Sequence, residues 1–234
     1  EASIGDPMDD LCIVSAPTLS QIEKVIFAYL KRHKGTAKMN GFDLPGRITE
    51  TLAWKVDDVE GIEGSGLMVF GKRPSDKDII GSFQGTRKLR TRVFLDEGGG
   101  LPTDMFDAAE AVATGAESRI FTIGNPDRIG CYFHKLFTDE KLTQDWALHT
   151  INSFDLPSFT GEVVYDDPEK QARFVAALTS PEWVDHKKRS WGEDSARYKS
   201  KVLGEFPDSS DNGLFSQTVI DLAYGTEIED NDDN

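Results

Sequence analysis

Cysteine is nearly absent from this sequence: of 234 residues only Cys12 and Cys131 are cysteine, so neither a disulfide framework nor a Cys-rich zinc pattern can be read from it. Cys131 and His134 have a helical spacing, but two ligands do not make a metal site; free, buried thiols and an ordinary histidine are expected. Such usage fits a reducing compartment. Long apolar runs are also lacking. Nothing approaches the ~20 residues that span a bilayer, and the acidic opening from Glu1 to Asp10 has no apolar stretch of the signal-peptide kind. A soluble intracellular protein with no membrane partner is expected, and an opening Glu in place of Met suggests an excised piece. Positive charge is scarce: 26 Lys and Arg stand against 41 Asp and Glu, a formal net charge of −15. DNA affinity comes largely from cations neutralising phosphates, so a role on DNA would need a local basic patch, an oligomer or another domain. Part of the acidity lies in the tail from Glu227 to Asn234, which reads as a linker. Finally, no Gly-x-x-x-x-Gly-Lys-Ser/Thr occurs, so the sequence offers no loop to cradle the β- and γ-phosphates of a nucleotide.

What is present suffices for a core: 38% of the residues are hydrophobic. Leu11 to Ser15 is a continuous apolar run of the kind buried in a parallel sheet, ended by Ala16-Pro17-Thr18. Ser20, with Glu23 three residues on, can cap a following helix, in which Ile22, Val25, Ile26, Tyr29 and Leu30 recur at helical spacing as far as His33. Lys34 to Gly46 reads as a loop. Leu67–Phe70, Val93–Leu95 and Arg119–Ile123 are further strands. A short helix opened by Pro102 and Asp104 and closed by Gly115 lies between the last two. Strands alternating with helices predict a three-layer α/β fold with a mainly parallel sheet. Beyond Phe137 the texture changes: Trp146–Ile151 is one more candidate strand, and helical segments follow at 169–178, 182–191 and 194–203, punctuated by Pro157, Pro168, Pro181 and Pro207.

The residues that speak of chemistry are Asp96 and Glu97, which end the apolar strand Val93-Phe94-Leu95. Acids there stand at the carboxyl edge of the sheet, where open α/β folds bind ligands. In a nucleotide hydrolase the first would hold Mg²⁺ and the second would polarise the attacking water; a solvated strand end has the same sequence. One helix–strand unit further on, Thr122-Ile-Gly-Asn-Pro126 puts a polar turn at the same edge, able to sense a γ-phosphate and pass its loss to a moving part, or to serve as an ordinary turn. Lesser features are Gly98–Gly100, read as a flexible turn, and Asp166-Asp167, a superficial metal-like strand end. Lys187-Lys188-Arg189 beside Trp183 and Trp191 reads as a solvated helix face over buried aromatics, with DNA contact as the competing reading.

Taken in order, Phe83-Gln84-Gly85, Val93–Glu97, Leu101-Pro102, Phe106–Ala108, Ile123–Pro126, Ser190–Ser195, Tyr198, Val202–Pro207 and Leu214–Ser216 resemble the large subunit of phage terminases, the viral DNA-packaging ATPase. The resemblance covers most of residues 11 to 225, and Ala16-Pro17-Thr18 with Gln21 resembles the loop after the second core strand of these motors. It implies a RecA-like core over 1–137, truncated at its N-terminus, a small helical lid over 138–206, and a linker over 207–234 towards a nuclease. It assigns Asp96 to Mg²⁺, Glu97 to water activation, and Thr122, Gly124 and Asn125 to coupling. Arg87 is the candidate for an arginine acting on a neighbouring subunit, with Arg90 and Arg92 as rivals. It further implies ATP and Mg²⁺ as cofactors, and double-stranded DNA, the portal protein, the small terminase subunit and a ring of copies as partners. The site of action would be the host cytoplasm and, transiently, the procapsid. The phosphate loop of this family precedes the strand at Leu11, so these 234 residues alone are expected not to hydrolyse ATP, and a sheet short of its first strand and helix to expose an apolar face. The alternatives are a non-catalytic binding module of the same fold and part of a helicase-type motor.

Overall fold

The computed structural model describes residues 9–56, 66–73 and 88–207. Arg87, Phe83–Gly85, Leu214–Ser216 and the acidic tail lie outside them. The described residues up to Gly124 form one compact unit and those from Asn125 onward a second.

The first unit is built on six strands: β1 (Asp10–Ser15), β2 (Arg47–Ile48), β3 (Ala53–Val56), β4 (Gly66–Gly71), β5 (Arg90–Leu95) and β6 (Arg119–Thr122). Their order is β2-β3-β4-β1-β5-β6. β4, β1, β5 and β6 run parallel, while β2 and β3 add an antiparallel hairpin at one edge. β1 lies in the middle, which is why it reads as an unbroken apolar run: Leu11, Ile13 and Val14 are all buried.

The helix after β1 departs from expectation in three ways. Its cap is Thr18, not Ser20: the Gln21 N–H donates to Thr18 Oγ1 at 3.2 Å and the Thr18 N–H donates to Gln21 Oε1 at 3.0 Å, a reciprocal box two residues earlier than read. α1 (Leu19–Gln21) then passes into a π turn (Ile22–Phe27) before α2 (Ala28–Met39). A π turn bonds each residue to the fifth along, so Ile22 and Phe27 face inward together, at 0% and 1% exposure, while Val25 and Tyr29 turn out at 46% and 55%. The helix also runs on past His33, through Gly35, to Met39, because Lys, Ala and Met are good helix formers and one glycine costs only about 1 kcal/mol. Ile22 and Phe27 seat the segment on β4, since a Cβ at Gly71 would lie 2.5 Å from Ile22 Cγ2 and 2.7 Å from the Phe27 ring. Ala16, Ile22 and Phe27 form a buried cluster with Leu30, Ile48, Leu52 and Val69 around it. α3 (Thr103–Val112) buries Met105, Phe106, Ala108, Ala109 and Val112. It lies on the sheet face of Ser15, whose hydroxyl meets Met105 Sδ at 4.0 Å.

The amino edge of the sheet is pinned by charge. Arg90 donates to both carboxylate oxygens of Asp10, at 2.7 and 2.9 Å, and Arg92 adds a third bond at 3.1 Å. Hydrogen bonding from Arg90 holds the Asp10 carboxyl below the usual carboxylate range, against the opposing effect of burial and with help from Arg92. A depressed carboxyl pKa contributes stability that is present above the unfolded-state value of about 3.9 and is lost as pH falls through the folded-state value. Asp10→Asn is therefore expected to lower the thermal midpoint at pH 7 by roughly 2–4 °C. That difference should close in melts run below both values.

The second unit is helical: α4 (Tyr132–Thr138), α5 (Glu140–Thr143), α6 (Pro157–Thr160), α7 (Pro168–Ala176), α8 (Pro181–Trp191), α9 (Ala196–Tyr198) and a closing π turn (Lys199–Leu203). Trp146–Ile151 is not a strand. None of its residues is buried, and Ile151 is 67% exposed. Side-chain caps start most of the helices: Asp139 on α5, Asp167 on α7, Ser180 on α8 and Ser195 on α9. Pro168 and Pro181 occupy first-turn positions, where a missing N–H does no harm. Val184, Tyr198 and Val202 make one core, backed by Phe159 and Leu203. Phe206 packs against Phe133, Phe137 and His134. No described helix is long and apolar enough to cross a membrane.

Candidate functional site

β5 leaves the sheet at Leu95, and the two acids follow at its carboxyl edge. The Asp96 N–H donates to Ser15 O at 2.8 Å, carrying the β1–β5 ladder one residue past the strand. Glu97 then turns the chain sharply, with φ 53° and ψ 51°, into a 3₁₀ turn over Gly98–Gly100. The turn is closed by the Gly100 N–H on Glu97 O at 2.7 Å. The three glycines are thus an ordered turn, with Gly98 and Gly99 buried.

The second motif is fastened to the first through the backbone. The Ile123 N–H donates to Leu95 O at 3.1 Å, and the Gly98 N–H donates to Ile123 O at 2.9 Å, so β6 grips the acidic turn from both sides. Gly124 makes this possible, for a Cβ there would lie 2.9 Å from the Gly98 nitrogen. Thr122 Oγ1, at the same edge, is the one buried side-chain polar atom without a hydrogen-bond partner among the described residues. Asn125 follows at once and belongs to the second unit, where its carbonyl accepts from the Asp127 N–H at 2.9 Å. The loop after β1 completes the edge: a Cβ at Gly100 would meet Pro17 Cγ at 2.8 Å.

Neither the Asp96 nor the Glu97 side chain has a hydrogen bond or ion pair among the described residues. Both are half-buried acceptors left open at the edge. A single carboxylate suits Mg²⁺, which keeps several waters and takes its other oxygens from substrate phosphates. The described residues contain no group of three or more His, Cys, Asp or Glu placed to bind a metal by themselves.

Other candidates are accounted for by local structure. Arg90 and Arg92 are bound to Asp10, and along β5, at ~3.3 Å per residue, Arg90 stands about 20 Å and Arg92 about 13 Å from Asp96. Arg87 lies outside the described residues. Asp167 receives the N–H groups of Glu169 and Lys170 at 2.9 and 3.3 Å, so its carboxylate caps α7. Cys131 caps α4, its sulfur accepting from the His134 N–H at 3.4 Å, while the His134 ring accepts from the Gly130 N–H at 3.3 Å. Both cysteines are half-buried, and burial pushes the Cys12 thiol up to about 12. On α8 the aromatics are not buried beneath the basic residues. Trp183, 38% exposed, stands edge-on to Trp191 at 6.0 Å, with the Lys187 ammonium 4.6 Å from the Trp191 ring. Sequence reasoning missed the contact of Pro17 with the glycine turn and the true helix cap, although the Thr18-Leu-Ser-Gln21 spacing carried the signal for the latter.

No protein-family model matches the chain. A probable terminase large subunit of Enterobacteria phage P7 is 24% identical over 225 residues, 93% of this chain and 40% of that protein. The large terminase of the thermophilic bacteriophage D6E superposes with a TM-score of 0.55 at 15% identity, over 86% of this chain and 42% of its own. Its complex with ADP gives 0.54 at 14% identity, over 86% and 41%. The chain therefore spans about two fifths of the length of these proteins. The likeness in structure shows the fold to be the RecA-like arrangement found in these large terminases, a six-stranded, mostly parallel sheet with helices. In sequence along nearly its whole length, and in fold, this chain is similar to the large subunits of phage terminases.

Proposed function

We propose that these residues form part of an ATP-hydrolysing motor subunit of the terminase kind, which drives double-stranded viral DNA into a preformed shell. The observation that carries this reading is the pair of carboxylates of Asp96 and Glu97, without a partner among the described residues and followed by a turn bonded to the Thr122–Gly124 segment, at the point where one compact unit gives way to the next. Asp96 would hold Mg²⁺, which supplies positive charge against the phosphates. Glu97 would orient a water and take its proton as that water attacks the terminal phosphorus. Breaking the phosphate bond removes charge from the edge lined by Thr122. Gly98 and Ile123 tie that edge by backbone to Gly124, and Asn125 begins the part that would move. Residues 138–206 would act as a lid and 207–234 as a linker. Arg87 would serve a neighbouring copy in a ring, with the portal protein and the small terminase subunit as further partners in the host cytoplasm and on the procapsid. The likeness to a terminase that binds ADP supports the nucleotide. The test is Mg²⁺-dependent ATP hydrolysis by the full-length product of the gene that encodes these residues. Turnover is expected, and a folded product with none would overturn the reading in favour of a binding module.

A further inference from the structure

Three fastenings hold the turn that carries the two carboxylates. Asp96 is tied to β1, its N–H donating to Ser15 O at 2.8 Å, and Gly98 is tied to the end of β6, its N–H donating to Ile123 O at 2.9 Å. The third fastening is Pro17. Gly100 closes the turn through its N–H on Glu97 O at 2.7 Å, and a Cβ added to it would stand 2.8 Å from Pro17 Cγ and 3.6 Å from Pro17 Cβ, so the closed turn rests on the proline ring. Within these fastenings Glu97 is held at φ 53°. Such a conformation is sparsely populated for a residue with a side chain and persists only where the surroundings over-determine it. The first two fastenings are backbone bonds. Pro17 alone acts through a side chain.

The ring is well supported from its own side. Proline fixes its own φ, so the residue cannot swing away about that bond. Ala16, just before it, is buried in the cluster with Ile22 and Phe27. Thr18, just after it, is locked to Gln21 by the reciprocal bonds of the helix cap. Ile22 and Phe27 bear in turn on Gly71 of β4. A rigid path therefore runs from β4, through the start of the helical segment and the Pro17 ring, to the turn at the end of β5.

We infer that Pro17 is a positioning residue for Glu97. Pressed on Gly100, it keeps the turn closed on the Glu97 carbonyl and so fixes where the Glu97 carboxylate stands at the sheet edge. The catalytic consequence rests on the ATPase reading proposed above; the brace itself does not. Because the brace acts on the proton acceptor, its loss falls on kcat and leaves KM for ATP unchanged.

The test uses the full-length gene product with Gly100→Ala, with Pro17→Ala, and with both. Gly100 is not among the glycines of positive φ, so the added methyl meets no backbone penalty and disturbs only the contact. Gly100→Ala is expected to lower kcat roughly 10-fold, since misplacing a reacting group by about 1 Å can cost on the order of 100-fold. In the double variant the methyl takes room left by the proline ring, and turnover is expected to recover above that of Gly100→Ala. Hydrogen exchange at the Gly98 amide, faster in each single variant and slowed again in the double, reads the brace without reference to turnover. A double variant no faster than Gly100→Ala, or a loss that falls on KM, would overturn the inference. Should the parent protein fail to hydrolyse ATP, the ATPase reading fails and exchange alone decides. Unchanged exchange at Gly98 in both single variants would then overturn the brace.

Discussion

Glu97→Gln is expected to slow Mg²⁺-dependent ATP hydrolysis by the full-length gene product about 10²–10⁴-fold, with nucleotide still bound. Gln has the size and backbone demands of Glu, and the grip on the turn uses the Gly98 N–H and Ile123 O, not the side chain. The substitution therefore takes away a proton acceptor and little else. Steady-state turnover, measured beside equilibrium binding of ADP, separates loss of chemistry from loss of the site. Turnover within a few-fold of the parent would move the base elsewhere and leave Glu97 as a solvated strand end.

Phe27→Ala is expected to destabilise the first unit by about 3–5 kcal/mol, the cost of emptying a buried aromatic site. Val25→Ala and Tyr29→Ala should each stay within roughly 0.5 kcal/mol, as exposed positions do. The contrast, read from urea melts, bears directly on the π turn. A regular helix starting at Ile22 would put Val25, Ile26 and Tyr29 inside, and a large loss at Val25 with none at Phe27 would restore that helix.

These two results also mark where the sequence is legible. β1, β4, β5 and β6 announce themselves as short apolar runs, most plainly the central and largely buried β1, and α3 because its five buried residues keep helical spacing. The hairpin of β2 and β3 escapes notice: it has two and four residues, and Arg47 and Lys55 sit in it as readily as in a loop. The π turn escapes too, since five-residue spacing of Ile22 and Phe27 competes with an equally good four-residue pattern one face away. At the site, Asp96 and Glu97 can be read because a strand that ends in acids is a pattern of side chains. The bonds from Gly98 to Ile123 and from Ile123 to Leu95 cannot, because backbone groups leave no mark in the sequence. Gly124 is the partial exception, the missing side chain that lets the two turns meet.

Glu97 stands in the left-handed region of backbone space, a conformation that costs a residue with a side chain roughly 1–2 kcal/mol and glycine almost nothing. An engineering campaign that ranked variants by heat resistance would accordingly be drawn to Glu97→Gly, and would gain a sturdier protein by discarding one of the two carboxylates at the carboxyl edge of the sheet. Thermostabilisation of this protein has to hold position 97 fixed and look for its gains in the helices of the second unit.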